Sequence, residues 1–138
     1  MEFLKYKDVD VSLMLESLSP TELDDLPYGV IKLDQQGMIL QYNTTESFIT
    51  GRVATLVIGK NFFTEVAPCT NTPEFYGRFV EGFEKKFLNT VFNYLFDHNM
   101  KPVSVKVHMI LAKYAKEYYM WIIVKRVLRH PAVLKSKL

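Results

Sequence analysis

The chain has 138 residues, 49% of them hydrophobic and 23% charged, which suits one packed core and leaves no room for a two-domain enzyme. Seventeen Lys and Arg against fifteen Asp and Glu give +2, and the basic last eleven residues leave residues 1–127 at −1, without the footprint of a nucleic-acid binder. One cysteine, Cys69, excludes an intrachain disulfide and a thiolate metal cage, and the longest uncharged run, Gln35 to Thr45, is too short to span a bilayer, so a cytoplasmic protein without membrane insertion is expected.

Residues 1–26 read as a helical cap. Asp10 is placed to cap a turn carrying Leu13, Met14 and Leu18. Ser19-Pro20-Thr21-Glu22 then sets a capping Ser, a first-turn Pro and a third-position Glu at a second helix start. Acids outnumber lysines by five in this segment, and residues 27–127 carry +4. A negative cap on a positive body would be held by apolar contacts and only weakly by screened charge, a combination suited to reversible release. An inert extension is the plain alternative.

From Tyr28 the period shortens. Tyr28 to Asp34 and Met38 to Asn43 read as strands of a hairpin turned by Asp34-Gln35-Gln36-Gly37. Thr44 to Thr50 fits one or two helical turns ended by Gly51, and the chain from Arg52 to Pro68 is irregular. Thr72-Pro73-Glu74 opens a helix striped by Phe75, Phe79, Phe83 and Phe87 at four-residue spacing, a core face. Three strands follow: Thr90 to Asp97, Val103 to Leu111 with inward Val105, Val107 and Met109, and Tyr118 to Val127 around Trp121. His108, alternating with Val107 and Met109, is expected on the exposed face. Two early strands, a helical middle and three late strands predict an α+β fold, a five-stranded antiparallel sheet with helices on one side, which strand order alone ranks only modestly above a ferredoxin-like or profilin-like sheet. Residues 128–138, broken by Pro131, read as a basic tail.

Two clusters carry possible chemistry. Cys69 lies in a loop between Pro68 and Pro73, just before the expected helix start. A helix amino end favours the thiolate, the form that attacks an activated acyl group. A buried, inert small hydrophobe is the other reading of a lone cysteine. No signature assigns His98, His108 or His130 as its base, so hydrolytic catalysis and a metal site lack support. In the second cluster Tyr42, Glu46 and Thr50 recur every fourth residue and share a face, a row of phenol, carboxyl and hydroxyl able to hold one buried oxygen. Buried among aromatics, the Glu46 carboxyl would stay neutral and donate; on an exposed turn it would merely be solvated.

At these residues the chain resembles the photoactive yellow protein family, bacterial blue-light receptors built on the PAS fold. The shared blocks are Ile39-Leu40-Gln41-Tyr42-Asn43, Ile49-Thr50-Gly51-Arg52, Val57-Ile58-Gly59-Lys60-Asn61-Phe62-Phe63, Val66-Ala67-Pro68-Cys69-Thr70, Pro73-Glu74-Phe75-Tyr76-Gly77, Leu88-Asn89-Thr90, Val105-Lys106-Val107-His108-Met109 and Val124-Lys125-Arg126-Val127. They run in order from Ile39 to Val127, the resemblance as a whole covers residues 1–127, and it implies a PAS photosensory core over 27–127.

The resemblance implies p-coumaric (4-hydroxycinnamic) acid bound as a thioester to Cys69. It implies hydrogen bonds to the phenolate from Tyr42 and protonated Glu46, with Thr50 behind Tyr42 and Arg52 shielding the pocket. Phe62, Phe96 and Met100 match positions packed around the chromophore, Met100 being tied to dark recovery. Implied too are photoisomerisation, proton transfer from Glu46, cap release and a downstream signalling protein, in a monomer or weak dimer that is not an enzyme. The chain departs from the family at Ser47 and Phe48, where small or acidic residues are usual, in a longer hairpin before Tyr118, in the tail, and at His98. His98 replaces an aromatic phenol and is expected to make recovery sensitive to pH. The rival readings are a PAS-like binding or interaction module without a chromophore and a thiol redox sensor using Cys69.

Overall fold

The computed structural model describes residues 11–127. The Asp10 cap, His130 and the basic tail 128–138 lie outside the described residues. Chain order is α1 (Val11–Ser17), α2 (Pro20–Asp24), β1 (Gly29–Leu33), β2 (Ile39–Tyr42), α3 (Thr44–Thr50), α4 (Ala54–Val57), a π-helical turn (Phe62–Val66), a 3-10 turn (Pro68–Thr70), α5 (Tyr76–Lys85), β3 (Asn89–Phe96), β4 (Val103–Tyr114) and β5 (Glu117–Arg126). The five strands form one antiparallel sheet in the order β2-β1-β5-β4-β3, so the first strand is zipped to the last, with Gly29 opposite Val124 and Leu33 opposite Met120.

Local chemistry explains most element ends. The Ser19 hydroxyl accepts from the Glu22 amide at 3.1 Å while the Glu22 carboxylate accepts from the Ser19 amide at 2.9 Å, the reciprocal pair expected from the sequence. Gly37 closes the β1–β2 hairpin with φ 88°, a value that suits glycine. Gly51 ends α3 in the left-handed region and returns its amide to the Ser47 carbonyl at 2.8 Å.

Alternation along the strands splits the buried residues into two cores. On one face Ile31, Leu33, Val105, Val107, Met109, Met120, Ile122 and Val124 pack with Tyr42, Phe62, Phe63, Val66, Phe75, Phe79 and Phe96. On the other, Val30, Ile110, Ala112, Trp121 and Ile123 pack with Val11, Leu15 and Leu23. The helices therefore cover both faces, where the sequence placed them on one, and the pair α1–α2 seals the second core.

That second layer explains three further differences. His108 is buried, not exposed, because it points with Ile110 and Ala112 into the covered face, where its ring bonds Asn89 Oδ1 at 2.7 Å. The cap is held by more than screened charge: Glu16, only 5% exposed at its side chain, meets Lys32 Nζ at 2.9 Å and accepts from Trp121 Nε1 at 2.8 Å. The Lys32 ammonium also lies 4.2 Å from the centroid of Tyr119. Finally, α5 begins at Tyr76, because the Phe75 and Gly77 amides both fold back on the Thr72 carbonyl, and Lys86 ends it with φ 57°. Phe75 and Phe79 are buried as the stripe requires, whereas Phe87 falls beyond the helix and is exposed.

Candidate functional site

The expected row forms. Asn43 caps α3, its Oδ1 accepting from the Glu46 amide at 2.9 Å, which directs the Glu46 side chain off the first turn into the inner core. Tyr42, at the end of β2, reaches Thr50 at the end of α3, Oη to Oγ1 2.7 Å; the Thr50 hydroxyl donates to the Glu46 carbonyl at 3.0 Å, so the Tyr42 hydroxyl is the donor to Thr50. Glu46 is fully buried, and neither carboxyl oxygen has a hydrogen-bond partner among the described residues. An unpartnered buried carboxyl is costly, so it marks a position meant to meet a polar atom.

Electrostatics sets the protonation of this pair. Burial raises the Glu46 carboxyl to about 8, with the Arg52 charge acting weakly in the other direction. Burial also raises the Tyr42 phenol, helped by the Glu46 charge and opposed by the Thr50 bond and by Arg52. Both groups are then neutral at pH 7, and both hold a proton to donate.

Arg52 is half-buried at the rim, its guanidinium donating to the His98 carbonyl at 2.7 Å and to the Met100 sulfur at 3.5 Å. It therefore ties the β3–β4 connection to the end of α3. Phe62, Phe96 and Tyr42 are buried in the same core against which Cys69 and Met100 pack half-buried. All eight candidate residues thus gather around this core, drawn from β2, α3 and the loop after it, the π-helical and 3-10 turns, the end of β3 and the loop that follows β3. Cys69 lies within the 3-10 turn instead of at the amino end of a long helix, since α5 starts only at Tyr76.

Two surface cavities flank the site. One of about 990 Å³ is lined by Phe48, Thr50, Met100, Lys101 and Arg126 among others, and one of about 350 Å³ by Arg52, Lys60, Glu65 and His98. Glu46 lines neither, and the isolated carboxyl is the more telling feature. Among the described residues no group of His, Cys, Asp and Glu could hold a metal ion, and no helix is long and apolar enough to cross a membrane.

Three residues escaped the sequence reading. Asn43 makes four bonds: besides Glu46, its Oδ1 accepts from the Val30 amide at 2.8 Å, and its Nδ2 donates to the carbonyls of Leu23 at 2.8 Å and Tyr28 at 2.9 Å. Its position before Thr44-Thr45-Glu46 was a readable N-cap signal. Gly29 lies against Glu46, and a Cβ there would collide with the carboxyl oxygen Oε1. Tyr94 donates its hydroxyl to the Cys69 carbonyl, a contact without local signal.

No family model matches the chain. Individual proteins do. It is 47% identical over 127 residues to photoactive yellow protein of Rhodothalassium salexigens, covering 92% of this chain and 100% of that one. It is 48% identical over 126 residues to photoactive yellow protein of Halochromatium salexigens, covering 91% and 99%.

This chain belongs to the photoactive yellow protein family.

Its structure agrees. The photoactive yellow protein domain of the sensor histidine kinase Ppr from Rhodospirillum centenum superposes with a TM-score of 0.76 at 42% identity, covering 83% of this chain and 98% of that domain. The PAS domain of an HTR-like protein from Haloarcula marismortui superposes at 0.60 with 18% identity, covering 85% and 97%, and shares the fold. The fold is accordingly PAS, α+β, with a five-stranded antiparallel sheet.

Proposed function

We propose that the chain is a blue-light photoreceptor that carries p-coumaric acid as a thioester on Cys69 and signals by releasing its N-terminal cap. The observation that supports this best is Glu46: a wholly buried, neutral carboxyl without a hydrogen-bond partner among the described residues, beside a Tyr42–Thr50 hydroxyl pair, in the core that also contacts the only cysteine. When bound, the coumaroyl group would supply a phenolate oxygen and a double bond that light isomerises.

The residues account for the rest. A phenolate in an apolar core is protonated unless strong donors hold it, and Tyr42 and Glu46 each have a proton to offer. The Thr50 hydroxyl reaches both the Glu46 carbonyl and Tyr42 Oη. With the Thr50 proton on the Glu46 carbonyl, Tyr42 donates to Thr50; a phenolate in the pocket would draw the Tyr42 proton to itself as Thr50 turns to donate to Tyr42. Loss of the proton from Glu46 would leave a buried carboxylate with Arg52 as the cation acting on it. An orphan charge of this kind costs several kcal/mol, comparable with the stability of a small domain. Opening of an element joined to α3 relieves it, and α1–α2 is tied to α3 through the Asn43–Leu23 bond and the 2.8 Å bond from the Thr44 amide to Asp24.

The reading is of a cytoplasmic receptor, not an enzyme, whose output is taken up by a signalling partner, as suits a family with a member domain inside a sensor histidine kinase. Residues 1–26 serve as the releasable cap and 27–127 as the sensing unit. Incubating the purified chain with activated p-coumarate tests it. A visible band that bleaches under blue light and returns in the dark, with a matching mass increase on Cys69, is expected. A colourless adduct would favour a binding module, and reversible thiol oxidation without colour a redox sensor.

A further inference from the structure

We propose that the open edge of β3 pairs with the same strand of a second copy of this chain, antiparallel about a two-fold axis at Phe92, so that two sheets join into one. The pairing needs no bound group and stands apart from the receptor reading.

The sheet ends in two unlike edges. At β2 the edge is short and covered: Ile39 gives its amide to the Lys60 carbonyl at 2.9 Å and accepts from the Gly59 amide at 2.8 Å, and Met38 bridges to Asn61. At β3 the edge is eight residues long and runs against β4 from Asn89–Ile110 to Phe96–Val103 in unbroken register. Sheets protect such edges with Pro, with charge, with a bulge or with a covering segment. β3 contains no Pro and no Asp, Glu, Lys or Arg, and it has no bulge.

Strand register identifies the bare groups. The Leu111 amide donates to the Leu88 carbonyl at 2.9 Å, and antiparallel bonding recurs at every second pair, so Thr90, Phe92, Tyr94 and Phe96 turn their amides and carbonyls toward β4. On the far side of β4 the Val127 amide meets the Ser104 carbonyl at 2.9 Å, so the alternate residues of β4 serve β5. Asn89, Val91, Asn93 and Leu95 therefore point their amides and carbonyls away from the sheet, and these groups make no hydrogen bond among the described residues. The same four residues have exposed side chains.

A second copy fits this edge. In the antiparallel register that puts Phe92 on the axis, Asn89 meets Leu95 of the second copy and Val91 meets its Asn93. Both relations recur across the axis, so every outward amide and carbonyl gains a partner and no charges oppose each other along the strands. Such self-complementarity favours a copy over a foreign strand. The association is weak, because two strands alone are marginal and the Arg78 guanidinium, 4.3 Å from the Phe92 ring centroid, comes near its copy at the axis.

Sedimentation and amide exchange of the full chain over a dilution series test the pairing. The expected result is a monomer–dimer equilibrium in which the amides of Val91, Asn93 and Leu95 exchange several-fold more slowly in concentrated than in dilute protein, while those of Phe92 and Tyr94 keep their rates. Asn93→Lys, at an exposed position, should weaken association several-fold, because it sets two ammonium groups near each other across the axis. Val91→Lys combined with Asn93→Glu should restore it, since in this register each new ammonium faces a new carboxylate of the second copy. A monomer at every concentration, or a dimer whose outward β3 amides exchange as in the monomer, overturns the proposal. So does slow exchange that survives dilution, which would mean that the chain covers its own edge. A double variant that associates no better than Asn93→Lys overturns it as well.

Discussion

Glycine 29 and glutamate 46 share one space, and each restricts what the other position tolerates. In Gly29→Ala the new Cβ meets the carboxyl oxygen and must displace it or the α3 turn that bears it. A stability loss of about 1–3 kcal/mol is expected from such overpacking, together with a shifted dark band after reconstitution. Denaturant unfolding and one absorption spectrum check both. The pH dependence of Glu46 has a defined sign. Burial holds its carboxyl at about 8 against an ordinary 4.5, so between those values the folded chain keeps a proton that the unfolded chain has released. Stability of the unreconstituted protein should therefore fall as pH rises through that window, by an amount on the order of a few kcal/mol, and level off above it. Glu46→Gln should flatten this slope, and after reconstitution should keep the hydrogen bond while blocking cap release.

At the scale of elements, the legible parts were those built from short spacing. The Ser19–Glu22 box, the Gly37 turn, the Tyr42–Glu46–Thr50 row and the Phe75–Phe79 face all follow from residues repeating in steps of four positions or fewer. What escaped depends on local backbone bonding that the side-chain pattern does not show, or on distant partners. Thr72 draws the Phe75 and Gly77 amides onto its carbonyl and so delays α5, and α1 covers the face on which His108 lies. The Glu16–Lys32–Trp121 cluster joins positions up to 105 apart, and no local pattern announces it. Its removal is the element-scale prediction. Glu16→Gln keeps a carbonyl for the Trp121 N–H but leaves Lys32 without its charge partner, and should loosen α1 by about 1–3 kcal/mol. Faster amide exchange across Val11–Ser17 in the dark, with β4 and β5 unchanged, is the measurement.

The whole molecule is two cores divided by one sheet. One core contains the neutral acid pair and the cysteine; the other is closed by α1 and α2. Neighbouring residues of β1 serve opposite sides, Val30 facing the cap and Ile31 facing Tyr42's core. Asn43 bonds the Val30 and Glu46 amides through one oxygen and the Leu23 carbonyl through its nitrogen. Asn43 thus bonds to both layers, and the bond from the Thr44 amide to Asp24 is a second tie between them. The strand order that makes this possible, first strand against last, spans nearly the whole chain. It was available from family resemblance and not from periodicity.

Trp121 is the chain's single tryptophan, and its ring nitrogen is bonded to a carboxylate carried by α1. The molecule therefore holds a built-in fluorophore at the seam between cap and sheet. If the cap lifts, that indole loses an anionic neighbour and gains water, and its ultraviolet emission should change in colour and yield. The lifting and reseating of α1 could then be timed by fluorescence alone, without attaching any probe.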